Sequence, residues 1–137
     1  MHAQKELYFV LMTKGLFNGI AAVFAGFIAI LLLSLFADFA LLKTGLLAEG
    51  MNSVGKWVLA ISKEFIVGTV GAWFTVWLGR KHNLLHAAAL AAVMIAVVLI
   101  PVSTNWGKNP LWFSLTMLTL PVLYALAGVG VYRFLKK

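Results

Sequence analysis

Three stretches of the chain run for the length of a membrane crossing without a single Asp, Glu, Lys or Arg: Gly15 to Ala37, Asn83 to Gly107 and Asn109 to Tyr132. Crossing a hydrocarbon core of about 30 Å takes roughly 20 helical residues at ~1.5 Å each, so each stretch predicts a transmembrane helix. A fourth apolar region lies between Lys56 and Arg80 but contains the adjacent pair Lys63 and Glu64. From Phe65 to Gly79 it offers about 22 Å of uncharged helix, which places the pair just inside one face of the bilayer if Arg80 marks the other. The predicted fold is all-α: a four-transmembrane-helix bundle, a single membrane domain with spans at about 15–38, 57–79, 84–105 and 110–132. Residues 1–14 either extend the first span or lie along the headgroup layer. They contain Glu6, precede an apolar run too long for a signal core and lack a small-residue cleavage site, so they are expected to be retained.

Punctuation along the chain supports these boundaries. Asn109 before Pro110 predicts a helix start, with Asn accepting a backbone N–H and Pro at the first helical position. Pro121 falls in the middle of the last span, where it removes a backbone hydrogen bond and frees the carbonyl of Met117. A kink is expected there, with Thr116 and Thr119 near enough to answer the freed groups. Pro101 predicts the end of the third span or a bend. The first connection, Lys43 to Gly55, is broken by glycines and offers Leu46, Leu47, Met51 and Val54 for a short surface helix.

Charge orients the bundle. With both termini on the cytoplasmic side, Lys5, Lys14, Arg80, Lys81, Arg133, Lys136 and Lys137 fall inside, against Lys43, Lys56, Lys63 and Lys108 outside. That is the sense of the positive-inside rule, and Trp57, Trp106, Trp112 and Tyr132 fall where aromatic belts belong. Arg80, Lys81 and Arg133 are the expected headgroup contacts.

Helices in lipid associate where small residues let backbones approach. The candidate contact rows are Ala21, Ala25 and Ala29 beside Ala22 and Gly26; Gly68 and Ala72 flanking Gly71; Ala88, Ala92 and Ala96; and Ala127, Gly128 and Gly130. They suit contacts within the chain or with another subunit.

Composition then excludes most other classes. With 63% hydrophobic and 11% charged residues, the chain has more apolar surface than a water-soluble domain of 137 residues can hide. The formal charge of +7 would point to nucleic acid in a soluble protein, but here the bases cap apolar runs, so lipid is the partner and nucleic acid is not. The absence of cysteine removes thiolate metal sites and thiol chemistry. His82 and His86 share a helical face at the spacing of a two-histidine half-site, but no further ligand of matching depth accompanies them, so no metal or other cofactor is expected.

The ionisable residues Glu64, Lys63 and Asp38 carry what chemistry there is, because charge below a membrane surface is costly. On a helix Lys63 and Glu64 point about 100° apart, so each is expected to find its own partner rather than to neutralise the other. Asp38 can meet Lys63 or Lys56 across the bundle. One reading has Glu64 facing the interior as a proton or cation site; the other has both residues of the pair at the headgroup boundary, with Lys63 snorkelling.

The order Gly71-Ala72-Trp73-Phe74, the basic turn Gly79 to Asn83, His86-Ala87 and Asn109-Pro110-Leu111-Trp112-Phe113 resembles small four-span bacterial integral membrane proteins without assigned function. The resemblance covers about the last half of the chain and implies a bacterial cytoplasmic membrane; it transfers no site. The motifs of small multidrug exporters and fluoride channels do not match. The expected role is a non-enzymatic accessory or structural subunit of a larger membrane complex, or a homo-oligomer. The alternative is a small proton- or cation-coupled transporter or channel using Glu64.

Overall fold

The computed structural model describes residues 1–46, 53–79 and 83–137, with Ser53 by its backbone alone. Four helices account for the regular structure of these residues: α1 (His2–Lys43), α2 (Ser53–Gly79), α3 (Asn83–Thr104) and α4 (Leu111–Leu135). Each is long and apolar enough to cross a membrane. Runs of Leu, Ala and Met favour the helix, and apolar side chains on every face suit a helix surrounded by lipid or by other helices.

Special backbone positions end the helices. After α1, Thr44 closes the last turn onto the carbonyls of Ala40 and Leu42, and Gly45 follows at a φ of 72°, the left-handed conformation that glycine adopts without cost. After α3, Gly107 plays the same part at a φ of 82°. The expected start of α4 shifts by one residue: Pro110 is itself the capping residue, its carbonyl accepting from the N–H groups of Phe113 and Ser114, and no side chain caps the helix. Asn109 therefore does not supply the cap that its position promised.

The prolines follow the same physics with one correction. Pro101 lies inside α3, which ends shortly after at Thr104. Pro121 is buried within a continuous α4. Thr116 and Thr119 donate to the carbonyls of Trp112 and Leu115, one turn back from each, and not to the freed carbonyl of Met117. A threonine on a helix reaches its own preceding turn more readily than a neighbour's.

Of the two alternatives for residues 1–14, the structure has the helical extension of the first span. At 42 residues α1 is about 63 Å long, because residues 2–14 continue the helix. Every residue up to Asn18 is exposed, and Gly19 is the first to be drawn into the bundle. Of the first connection, residues 44–46 form a turn, and the surface helix anticipated around Leu47 and Met51 lies outside the described residues.

Around the bundle the helices follow the order α1, α2, α4, α3; α2 and α3 also touch across the middle, and no α1–α4 contact occurs among the described residues. α2 thus meets all three other helices. Trp57 pairs with Phe113 at 4.4 Å between ring centroids, Gly68 with Tyr124, and Ala72 with Gly128. These pairs advance together along both helices, so α2 and α4 run parallel. The α1–α2 pairs run the other way: Gly26 faces Thr75, Ile30 faces Gly71, and Asp38 faces Lys63.

The seams are closed to the width of a methyl group. A Cβ at Gly128 would lie 2.6 Å from the Cβ of Ala72 and 2.7 Å from the backbone nitrogen of Trp73. Similar overlaps would arise at Gly26 with Thr75, at Gly71 with Ile30, and at Gly68 with the ring of Tyr124. Around these contacts Ile30, Val76, Leu90, Leu120 and Ala125 form the core.

A polar cluster between α1, α2 and α4

The buried face of α1 repeats every fourth residue as Ala22, Gly26 and Ile30, and one further step reaches Ser34 and then Asp38. The same face that packs on α2 therefore turns polar toward the α1–α2 connection. From α2, Lys63 and Glu64 meet it. Lys63 Nζ lies 2.6 Å from Asp38 Oδ1 and 2.9 Å from Glu64 Oε1, and the Ser34 hydroxyl donates to the same Glu64 oxygen at 2.8 Å.

The cluster corrects one expectation. Lys63 and Glu64 do pair with each other, because the four-methylene stem of lysine swings the ammonium back across the angle that separates the two residues on the helix. Each also has a partner of its own on α1, Asp38 for Lys63 and Ser34 for Glu64. Lysine takes both carboxylates because its three donors can be shared, whereas a carboxylate below the surface has few acceptable partners.

Burial is graded across the group. The side chain of Asp38 is 49% exposed, that of Glu64 23% and that of Lys63 14%. Asp38 is thus the most exposed member and Lys63 the least. Two acids share one base, so the group holds one negative charge in excess when all three are ionised.

One turn further along α2 from Glu64 is Gly68, and on it lies the ring of Tyr124 from α4. Tyr124 is 2% exposed, and its hydroxyl has no hydrogen-bond partner. Buried hydroxyls are usually satisfied, so this one is unusual.

At the opposite end of the bundle His86 fills the space between two glycines. A Cβ at Gly19 would come within 2.7 Å of its Nε2, and one at Gly79 would collide with its Nδ1 side. It is a packing residue between α1, α2 and α3. His82 lies outside the described residues, and no group of three or more potential metal ligands occurs among those that are described.

Of the candidate contact residues, Gly26, Gly68, Ala72 and Gly128 sit in the seams, all buried. Ala25 is half-buried, and Ala21 is exposed. Ala88 and Ala92 lie on the outer face of α3, which packs instead through Ala87, Leu90, Ala91 and Met94. Arg133 projects from the exposed side of α4; Arg80 and Lys81 lie outside the described residues.

Ser34, a member of the cluster, and the unpartnered Tyr124 hydroxyl are not singled out by the sequence. Ser34 carried a signal, since it stands four residues before Asp38 on one face of an otherwise apolar run. Tyr124 carried none beyond being a tyrosine at mid-span. No protein-family model, no curated protein and no solved structure matches the chain.

Proposed function

We propose that this is a small multi-pass membrane protein, N-in and C-in, whose bundle serves as a non-catalytic accessory or structural subunit of a larger membrane complex or as a homo-oligomer. The observation that carries this reading is the N-terminal part of α1. A helix of about 63 Å is twice the thickness of a hydrocarbon core of about 30 Å, so lipid covers only part of it. The part beyond the bundle includes Leu7 to Met12, an uninterrupted apolar run that wraps the whole circumference of the helix and is exposed throughout. An all-round apolar helix is a buried one. With lipid accounting for the bundle, protein is the remaining cover, and the outward Ala88, Ala92 and Ala96 offer a second smooth face for close helix contact.

Gentle solubilisation from native membranes tests this. The protein should run as a stable larger assembly, removal of residues 2–14 should release it, and Glu64→Gln should leave the assembly intact. A lone protein of 14.9 kDa in its detergent micelle would contradict the reading.

The charged cluster favours a second reading, a proton- or cation-coupled transporter or channel in which Glu64 is the working group with Lys63 and Asp38 beside it. Its support is the excess negative charge held between α1 and α2. Purified protein in liposomes should then move protons or cations, and Glu64→Gln should abolish the flux.

A further inference from the structure

The Tyr124 hydroxyl and the Glu64 carboxylate stand on the two parallel helices α4 and α2. Side chains on a helix lean toward its N-terminus. With its ring base on Gly68, the phenol of Tyr124 therefore points back along α4 toward the level of Glu64, one turn away on α2. The groups around Glu64 are Ser34 from α1, Lys63 from its own helix with Asp38 beyond it, and, one turn along the seam, Tyr124 from α4.

Ionised, Glu64 is an acceptor, and its Oε1 is turned to the donors Ser34 and Lys63. Protonated, it becomes a donor and needs an acceptor. Lys63 has no lone pair to offer; the Ser34 hydroxyl can turn to accept on the α1 side, and on the α4 side the Tyr124 oxygen has no partner at all. We infer that Glu64 and Tyr124 form a proton-binding site, in which the Glu64 carboxylate takes up a proton and, as the acid, donates a hydrogen bond to the Tyr124 phenol oxygen across the α2–α4 seam. The proton enters from water past half-exposed Asp38. Tyr124 keeps its own proton throughout; Lys63 stays with Asp38 as a neutral pair, and the excess negative charge is gone. The inference rests on the second reading above, in which Glu64 handles protons, and adds its partner on α4.

Infrared difference spectra of the full-length protein in phosphatidylcholine liposomes, taken between neutral and acid pH, test it. A carboxylic C=O band should appear on acidification and be lost in Glu64→Gln. In Tyr124→Phe it should persist but move to higher frequency, since the acid has lost its acceptor. A protein carrying Tyr8→Phe and Tyr132→Phe, in which Tyr124 is the one tyrosine left, should show tyrosine ring bands that change with the same midpoint as the carboxyl band. If the Glu64 band is unmoved in Tyr124→Phe and the ring bands stay constant, the partnership with Tyr124 is overturned while Glu64 as proton acceptor stands. If no band depends on Glu64, both fall. Should Tyr124→Phe not assemble, the protein with Tyr124 alone decides the matter.

Discussion

Gly128 and Gly130 are two residues apart on one helix and behave as opposites. A methyl at Gly128 meets Ala72 and the backbone of α2, whereas nothing lies within 4 Å of a methyl at Gly130 or at Gly15. Gly128→Ala, Gly71→Ala and Gly26→Ala should each destabilise by about 1–3 kcal/mol, the usual cost of forcing a methyl into a closed contact. Gly130→Ala and Gly15→Ala should be neutral or stabilise by up to ~1 kcal/mol through helix propensity alone. Unfolding in mixed detergent and denaturing micelles separates the two groups, and equal effects at Gly128 and Gly130 would mean that α4 is rotated. Small residues are legible in a sequence; which of two neighbours is pressed against another helix is not, because that depends on rotation about an axis. Tyr124 escaped notice for a related reason: its ring packs like any apolar side chain, and its unanswered hydroxyl exists only once α2 and α4 have met.

The four helices themselves were readable, three as charge-free runs of spanning length and α2 as an apolar run containing one charged pair, patterns that leave few alternatives. Their arrangement was not. With apolar residues on all sides, nothing in α2 or α4 announces that these two lie side by side and parallel. The chain contains no native cysteine, so the pairing can be tested directly. Ala72→Cys with Gly128→Cys should form an intramolecular disulfide on mild oxidation, after the small separation needed to bring the Cβ atoms to about 3.5–4.5 Å. Ala92→Cys with Gly128→Cys should not, because Ala92 faces outward. At the α1–α2 seam Asp38 had two pairings open to it, and it lies 2.6 Å from Lys63. Lys63→Ala leaves two carboxylates together without their base. Its cost should fall between the ~1 kcal/mol of an exposed pair and the ~3 kcal/mol of a buried one, since Asp38 still reaches water. A double-mutant cycle with Asp38→Asn should recover part of that loss, and strict additivity would show that the contact contributes nothing.

At the scale of the whole molecule, the length of α1 changes what the sequence alone conveyed. The charge-free run starts at Gly15 and left residues 1–14 either to extend the span or to lie along the headgroup layer; the helix extends, since nothing from His2 to Lys14 breaks it. The result is a bundle of spanning thickness with an apolar rod standing beyond it. Both proposed roles require that the bundle sit in lipid with the rod on the cytoplasmic side. Single cysteines at positions 45, 81 and 108 report this in intact cells through an impermeant thiol reagent. Gly45→Cys and Lys108→Cys should be labelled from outside, and Lys81→Cys only after the membrane is opened. Labelling of all three in sealed cells would contradict a membrane-spanning bundle, and labelling of Lys81→Cys alone would turn it upside down.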